Sequence, residues 1–373
     1  MIIRRKINYD LPVVKRAIAK KKKKRFRVAI IYNAYDDSQP NEKSDQSTTH
    51  ELRLMIRRMA RAMRKLRHHV VTVPLVGNLQ SLERKLARIR PDIVFNQYDD
   101  VVHGALYEMR VAAFIHLLGY RMTGSPALAL GISRYKFMAA SLLNGVGIPI
   151  PPQTALIEKI SQIDGRKWNF PLIVHAAQEH AGIGLDRNSV VYTKKSLREK
   201  VREIVGELDQ PALVQRFLCG REFNVGLVGG KRLKVMPLAE VDYSRLPVNI
   251  PPIMSYAAKW IASSVEYKKT RVMCPANVEP ELAAQIRETA VKAFRAVGGW
   301  GYGRVDIRLD DQDLPRVLEV NCNPCLDNGM GLARSASRAG ISYSELLHMV
   351  LLAALEGPPY DVLLPIFNSR TRL

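Results

Sequence analysis

The sequence has few of the features that mark secreted or membrane proteins. Only four of its 373 residues are cysteine, too few to staple a chain of this length with disulfides. No apolar run approaches the roughly 20 residues of a membrane-spanning helix, and the first residues lack the apolar stretch of a signal peptide. We therefore expect a reduced, cytoplasmic protein without a membrane span.

Acidic residues are scarce relative to basic ones. The chain has 35 Asp and Glu against 57 Lys and Arg, a formal net charge of +22, which first suggests nucleic acid as a partner. Apolar residues still make up 47% of the chain, which excludes wholesale disorder. The length allows two or three domains.

The positive charge is concentrated near the N-terminus. Residues 15–27 contain nine basic residues and no acid, a density at which like charges repel and resist packing. We interpret residues 1–25 as a surface arm that binds RNA, anionic lipid or an acidic partner protein, or as a solvated tail with only non-specific affinity. A second basic group alternates with Leu and Met at helical spacing, which predicts an amphipathic helix with a basic outer face. Its basic residues are Arg53, Arg57, Arg58, Arg61, Arg64, Lys65 and Arg67.

The order of the predicted elements indicates an α/β domain followed by α+β domains. Apolar strands at 26–32, 69–74 and 91–96 alternate with helices, which is typical of a parallel sheet. Residues 33–49 are polar and predict a loop, and residues 133–145 predict one helix. Beyond residue 171, short strands and hairpin turns favour antiparallel sheets. The expected divisions are a basic arm at 1–25, an N-terminal α/β domain at 26–130, a central subdomain at 131–211, a C-terminal subdomain at 212–357 and a tail at 358–373.

Four polar side chains interrupt two apolar strands near the C-terminus. Period-two spacing puts Arg304 and Asp306 on one face of their strand, and Glu319 and Asn321 on one face of the next. Adjacent antiparallel strands can bring both pairs together. Two carboxylates, an amide oxygen and a cation suit Mg²⁺ with bridging phosphate oxygens, whereas the alternative is a surface salt bridge across the strands.

The same residues carry a resemblance to a known family. Arg304-Val-Asp306, Glu319-Val-Asn321-Cys-Asn-Pro324 and Ala339-Gly340-Ile-Ser342 resemble the C-terminal signature of the D-alanine–D-alanine ligases, members of the ATP-grasp superfamily. The resemblance covers roughly residues 91–355. Other segments that match are Gly119-Tyr-Arg-Met-Thr123-Gly124-Ser125, Ser133-Arg-Tyr-Lys136, Gly147-Ile-Pro-Ile-Pro-Pro152, Gln215-Arg216-Phe-Leu218-Cys-Gly220-Arg-Glu222, Lys259 and Cys274-Pro275-Ala276.

The resemblance implies an ATP-grasp fold in which two antiparallel sheets hold ATP. It also implies a reaction in which ATP phosphorylates a carboxylate, an amine attacks the acyl phosphate, and ADP and phosphate leave. Asp306, Glu319 and Asn321 would hold Mg²⁺, or Mn²⁺ in its place. Arg304 would stabilise the acyl phosphate, and Lys259 would approach the phosphate being transferred. The residues implied to contact ATP are Lys136, His175, Gly182, Gly184, Gln215, Arg216, Leu218 and Glu222.

The chain departs from the family where substrates are recognised. His175 replaces an ATP-phosphate lysine, Gln215 replaces an adenine-contacting acid, and Met330 replaces the serine used for the second substrate's carboxylate. The N-terminal motif that binds the first D-alanine is absent. The acids near the N-terminal strand ends could instead hold an ammonium group, or simply solvate loops and cap helices. The tentative substrate-binding residues are Asp36, Asp99, Glu108, Asn323 and Met330.

We therefore expect an ATP-dependent carboxylate–amine ligase whose small amino-acid or peptide substrates differ from a pair of D-alanines. The alternative is a non-catalytic ATP-grasp protein that binds nucleotide or a protein partner; the change at His175 favours it, and the retained metal set disfavours it. An RNA-binding protein is a third hypothesis, resting only on the basic arm and helix. Dimerisation is common in the resembled family, so a homodimer is among the expected assemblies.

Overall fold

The computed structural model describes residues 25–34, 46–99, 105–177, 182 and 184–358. Nearly all of the basic arm, the tail from residue 359 and the candidate residue Asp36 lie outside this part of the chain. The strands are β1 Arg27–Asn33, β2 His69–Leu75, β3 Ile93–Gln97, β4 Ala155–Ile157, β5 Leu172–Ala176, β6 Val190–Val191, β7 Ala212–Arg216, β8 Glu222–Gly229, β9 Lys234–Val235, β10 Ala239–Asp242, β11 Arg271–Met273, β12 Gly301–Leu309 and β13 Pro315–Asn321. The α-helices are α1 Gln46–Lys65, α2 Leu79–Ile89, α3 Ala105–Leu117, α4 Ala127–Arg134, α5 Lys136–Gly145, α6 Lys194–Glu207, α7 Tyr256–Trp260, α8 Val265–Lys269, α9 Pro280–Ala296, α10 Gly331–Arg338 and α11 Tyr343–Glu356.

The N-terminal domain is built on a parallel sheet, as the strand–helix alternation predicts. The strands lie in the order β2–β1–β3, and both pairings are parallel. Helix α1 turns its apolar stripe into the core, where Ile56, Met59 and Met63 are buried. The expected loop over residues 33–49 is too long, because α1 begins at Gln46.

The single helix expected over residues 133–145 is two helices. Tyr135 is in an extended conformation between α4 and α5 and caps both of them. This break places Lys136 in the first turn of α5, where its side chain can reach the cleft beside β13. The expected domain boundary at residue 130 falls within α4, so it would divide a continuous helix.

The central sheet contains four strands in the order β4–β7–β5–β6, all antiparallel. Helix α6 packs against it through Leu197, Val201 and Ile204. The expected division between residues 211 and 212 cuts this sheet, since β7 pairs with both β4 and β5. We propose instead that the C-terminal subdomain begins after Arg216.

The C-terminal sheet runs β11–β10–β8–β12–β13, with β9 paired to β8. Strand β12 lies between β8 and β13, and both pairings are antiparallel. The register of β12 against β13 shifts between Asp306 and Ile307, which leaves Leu318 as an extra residue on β13. Such a β-bulge re-aims the side chains that follow it.

The N- and C-terminal parts share one core. Residues of α1 and β1 pack in the same buried cluster as Leu346, Leu347 and Val350 of α11. His68 and His348 join this contact, with His68 Nε2 3.2 Å from His348 Nδ1 and both side chains buried. Within the described residues, no helix is long and apolar enough to cross a membrane.

Candidate active site

The polar pairs on β12 and β13 come together as the sequence predicts. Arg304 lies opposite Asn321 and Asp306 opposite Glu319 in the antiparallel register, so all four side chains share one sheet face. The Arg304 guanidinium donates from Nε and Nη2 to the two Asp306 carboxylate oxygens, at 2.7 and 2.9 Å. The Asp306 charge raises the pKa of Arg304 above its ordinary value. The arginine therefore remains a fixed cation at the site.

Two lysines face the same cluster from outside the sheet. Lys259, near the end of α7, is half-buried, and this partial burial lowers the pKa of its ammonium group. Arg304 and Lys136 lower this pKa further, while Glu319 and Asp306 raise it. Lys136 and Glu319 line one narrow cleft between α5 and β13. Three cations and two carboxylates thus meet at the end of the C-terminal sheet.

His175 lies next to this cluster but does not replace the missing lysine charge. Burial and the neighbouring Lys136 lower the pKa of its imidazole to about 4, so the ring is neutral near pH 7. Its Nε2 lies 3.3 Å from Gln215 Oε1, and Gln215 Nε2 donates to Thr154 Oγ1 at 3.0 Å. These contacts form a polar row from His175 on β5 through Gln215 on β7 to Thr154, which directly precedes β4.

Several residues expected to contact ATP already have protein partners. The buried Glu222 accepts hydrogen bonds from Tyr243 Oη at 3.0 Å and from Arg308 Nη1 at 3.3 Å, and burial raises the pKa of its carboxyl. Arg216 donates to backbone carbonyl oxygens of the preceding loop, including that of Asn169 at 2.9 Å. The Leu218 side chain is buried. The Arg216 side chain therefore holds a loop in place, and its backbone N–H donates to Pro152 O at 2.8 Å.

Of the two described glycines of the expected phosphate loop, Gly182 contacts the start of the helix that carries Lys259, and Gly184 lies beside Leu208 and Ala176. Gly182 and Gly184 have φ values of +84° and +72°, which strongly favour glycine. A Cβ at Gly182 would lie 2.9 Å from the backbone nitrogen of Tyr256, which itself donates to Leu185 O at 3.1 Å. Gly182 is thus packed against the start of α7. Its residues 178–181 and 183 lie outside the described chain.

The two described acids of the expected substrate site, Asp99 and Glu108, are both paired with an arginine. Glu108, only 2% exposed, accepts from Arg134 Nε at 2.8 Å, and the same guanidinium also donates to Asp99. Burial, followed by the charge of Asp99, raises the pKa of the Glu108 carboxyl to about 7. Arg134 already occupies the place of a bound cation, so the expectation of an ammonium site at Asp99 and Glu108 is corrected.

Asn323 connects this acid cluster to β13, the strand that carries Glu319 and Asn321. Its Nδ2 donates to Glu108 and to Tyr98 O, and its Oδ1 accepts from Tyr302 Oη at 2.6 Å. Its backbone N–H donates to Asn321 Oδ1 at 3.0 Å. Asn323 therefore acts as a connection between domains. Met330, by contrast, is 50% exposed at the N-cap of α10 and makes no side-chain cap there.

The donor set on β12 and β13 fits a hard divalent cation that is shared with phosphate. Among the described residues, no three His, Cys, Asp or Glu side chains gather closely enough to hold a metal unaided. A cation here would need the Asn321 amide oxygen and phosphate oxygens in addition to Asp306 and Glu319. Mg²⁺ commonly binds in this way, with one or two carboxylates completed by substrate phosphates.

Comparison with known proteins agrees with this geometry. Residues 142–352, more than half of the chain, match the family described as "D-ala D-ala ligase C-terminus". The chain belongs to the D-alanine–D-alanine ligase family. The family match begins within α5, ends within α11 and includes Lys259 and the whole of β12 and β13.

Individual relatives of this ligase family extend the similarity toward the N-terminus. An uncharacterized protein of Sinorhizobium fredii (strain NBRC 101917 / NGR234) is 32% identical over 280 residues, 74% of this chain and 79% of the relative. A D-alanine–D-alanine ligase of Marinomonas sp. (strain MWYL1) is 26% identical over 301 residues, which cover 78% of this chain and 87% of that ligase. The crystal structure of the Bacillus anthracis D-alanine–D-alanine ligase complexed with ATP superposes with a TM-score of 0.67 at 20% identity, over 90% of this chain and 99% of that one. The ATP-grasp fold prediction is confirmed.

Some residues of the ligase-family site were missed from sequence. Asn224 on β8 donates from Nδ2 to Asp306 Oδ1 at 2.9 Å, directly across the sheet. Its alternation with Glu222 in an apolar strand was a usable signal. Arg134 and Tyr302 gave no such signal, because their partners lie far away in sequence.

Proposed function

We propose that the protein joins a carboxylate to an amine at the expense of ATP, through an acyl phosphate, and releases ADP and phosphate. The observation that carries this proposal is the convergence of Arg304, Lys136 and Lys259 around Asp306 and Glu319. Positively charged side chains beside two carboxylates that could hold a metal ion suit the binding of a triphosphate. They would also stabilise the negative charge that develops during phosphoryl transfer. Membership of the ligase family supports the same class of reaction.

The chain's own residues would act mainly by holding charge in fixed positions. Arg304 is kept in place by two hydrogen bonds to Asp306, so no reorganisation is needed before it meets an oxyanion. Lys259 has a lowered pKa in the absence of an anion, and a phosphate beside it would raise that pKa again. Mg²⁺ bound by Asp306, Glu319 and Asn321 would neutralise charge on the phosphate oxygens.

We propose that the substrates differ from a pair of D-alanines. Arg134 fills the position between Asp99 and Glu108 where an ammonium group would need an open carboxylate. The second-substrate position has the exposed thioether of Met330 in place of a hydroxyl. A thioether is a weak hydrogen-bond acceptor and donates none, so it cannot hold a carboxylate as a serine does. Both differences change amino-acid recognition and leave the phosphate-facing residues in place.

ADP release, followed by mass spectrometry of the products, tests the proposal. Mixtures of amino acids and dipeptides are supplied with Mg-ATP, and D-alanine alone is tested in parallel. Glu319→Gln should lower turnover by more than the about 10–100-fold that outer-shell changes cost. Glu288→Gln, in an exposed ion pair with Lys292 on α9, is the matched control. Efficient dimerisation of D-alanine would refute the changed substrate, and ATP binding without turnover of any mixture would refute the ligase.

A non-catalytic nucleotide-binding protein is the second candidate, and the neutral His175 favours it. A half-buried imidazole with a pKa of about 4 leaves one positive charge fewer beside the phosphates than a lysine would supply. Calorimetry with Mg-ATP separates the two candidates. Binding that Glu319→Gln abolishes, together with no turnover, would select the second candidate, whereas turnover selects the ligase.

A further inference from the structure

The outward face of α1 forms a basic surface. Five exposed basic side chains between Arg53 and Lys65 lie within about 120° of helix circumference and over about 18 Å of helix length, since a helix turns 100° and rises 1.5 Å per residue. Glu51 is the single acid in the 20-residue helix. The members of this basic surface are Arg53, Arg57, Arg61, Arg64 and Lys65.

The basic surface continues into a concavity at the C-terminal end of α1. The concavity has a volume of about 300 Å³ and is lined by Arg25, Lys65, Leu66 and Arg67, without an acid. Arg25 lines this concavity, and in the sequence it directly follows the segment that carries most of the nine basic residues at 15–27. A helix C-terminus attracts cations to its last turn only, which does not explain Arg53 or Arg57.

The concavity lies away from the candidate active site. In the parallel sheet, Arg27 pairs with His69 at the amino ends of β1 and β2, and the concavity lies at this edge. The candidate active site is reached from the opposite edge, where Gln97 at the carboxyl end of β3 donates to Tyr302 Oη at 2.9 Å. A ligand held in the concavity would therefore lie at the sheet edge opposite the candidate active site.

We propose that the basic surface binds the phosphate backbone of nucleic acid without reading its sequence. Four of its five residues are arginine, whose planar fork matches phosphate oxygens better than the lysine point charge does. Duplex nucleic acid carries one charge per about 1.7 Å of axis, so several phosphates fall along the row of about 18 Å. Helix α1 contains no Phe, Tyr or Trp, which removes base stacking as a means of recognition.

Insertion into a membrane is disfavoured by the packing of the same helix. An amphipathic helix that enters a lipid surface needs an available apolar face. The apolar face of α1 is already used, because Ile56, Met59 and Met63 are at most 2% exposed and pack in the shared core. Only its charged face is available, and charge alone is what backbone-directed nucleic-acid binding requires.

Fluorescence anisotropy of the full chain with labelled probes tests the proposal. The probes are a single-stranded RNA of mixed sequence and a DNA duplex of equal length, each titrated between about 50 and 200 mM salt. We expect affinity that falls steeply with salt and is the same for scrambled sequences. Arg57→Gln/Arg61→Gln should weaken binding and make the slope of log K against log salt shallower by about two, because each phosphate that a side chain neutralises contributes about 0.9 to that slope.

The matched control removes two charges from another exposed helix face. Lys195→Gln/Arg202→Gln on α6 should leave affinity and slope unchanged. ADP release should be unchanged in both double variants, so failure here is separable from failure of the proposed ligase activity. An equal decrease of affinity in the two variants, or no binding of either probe at the lower salt, would overturn the proposal. Tighter binding to polyglutamate, or to vesicles containing phosphatidylserine, would overturn it in favour of an acidic protein or a membrane.

Discussion

Tyr302→Phe is the sharpest test of how the N-terminal domain is joined to strands β12 and β13. Tyr302 is fully buried; its hydroxyl donates to Asn323 Oδ1 at 2.6 Å and accepts from Gln97 Nε2 at 2.9 Å. The phenylalanine ring keeps the packing but leaves Asn323 Oδ1 without this donor. A buried polar atom left unsatisfied costs about 1–3 kcal/mol.

The size of the effect can be measured as a change in melting temperature. At about 2–4 °C per kcal/mol for domains of this size, a decrease of about 2 kcal/mol in stability lowers Tm by about 4–8 °C. Differential scanning calorimetry at fixed pH and scan rate measures the shift. Because Asn323 also donates its backbone N–H to Asn321, we expect weaker Mg-ATP binding in the same variant.

Tyr107→Phe is the matched control. The Tyr107 hydroxyl donates to Gly77 O at 2.6 Å, but this hydrogen bond is exposed and water can replace it. We expect a change within about 0.5 kcal/mol, as for most surface substitutions. If Tyr302→Phe lowers Tm by no more than Tyr107→Phe does, the buried hydroxyl does not hold the two domains together and the reasoning is refuted.

Two further perturbations follow from burial and backbone geometry. The pKa of Glu108 is raised from 4.5 to about 7, so the folded protein retains a proton that the unfolded chain loses, and stability falls as pH rises through this window. Glu108→Gln cannot ionise and should flatten the decline of Tm between about pH 5 and 8; an unchanged decline would contradict the assignment. Gly303→Ala places a Cβ 2.2 Å from Phe294 Cε2 and should cost about 1–3 kcal/mol in urea unfolding. Gly206→Ala, inside α6 with open space around it, should instead stabilise by about 0.4–1 kcal/mol, and the same sign for both glycines would contradict the packing argument.

Local pattern was sufficient to predict the parallel sheet with its helices and the polar pairs at the centre of the candidate site. Helix α2 lies between the second and third predicted strands, where the alternation requires a helix, and its apolar stripe and the Asn78 cap define its bounds locally. The convergence of Arg304 and Asp306 with Glu319 and Asn321 also needed only strand alternation and an intervening hairpin. These features depend on residues close together in the chain, where periodicity carries the information.

The features that the sequence did not predict depend on distant partners. Glu108 and Asn323 are 215 positions apart, and no pattern near either residue indicates their hydrogen bond. Asp99 and Glu108 read as open acids until Arg134 is placed between them. The sequence likewise gives no sign that burial lowers the pKa of His175, since burial is decided by the packing of the central sheet.

The extra residue in β13 also restricts how this strand can be redesigned. Counting back from the hairpin, where Leu309 pairs with Pro315, an uninterrupted ladder would set Leu318 against Asp306 and Glu319 against Val305, a fully buried position. The carboxylate would then point into the hydrocarbon interior. Because Leu318 is left out of the ladder, Val317 and Val320 are both buried although they are three positions apart. Grafting the seven residues of β13 onto an ideal hairpin would thus preserve every amino acid of the strand. It would still remove the Glu319 carboxylate from its position opposite Asp306.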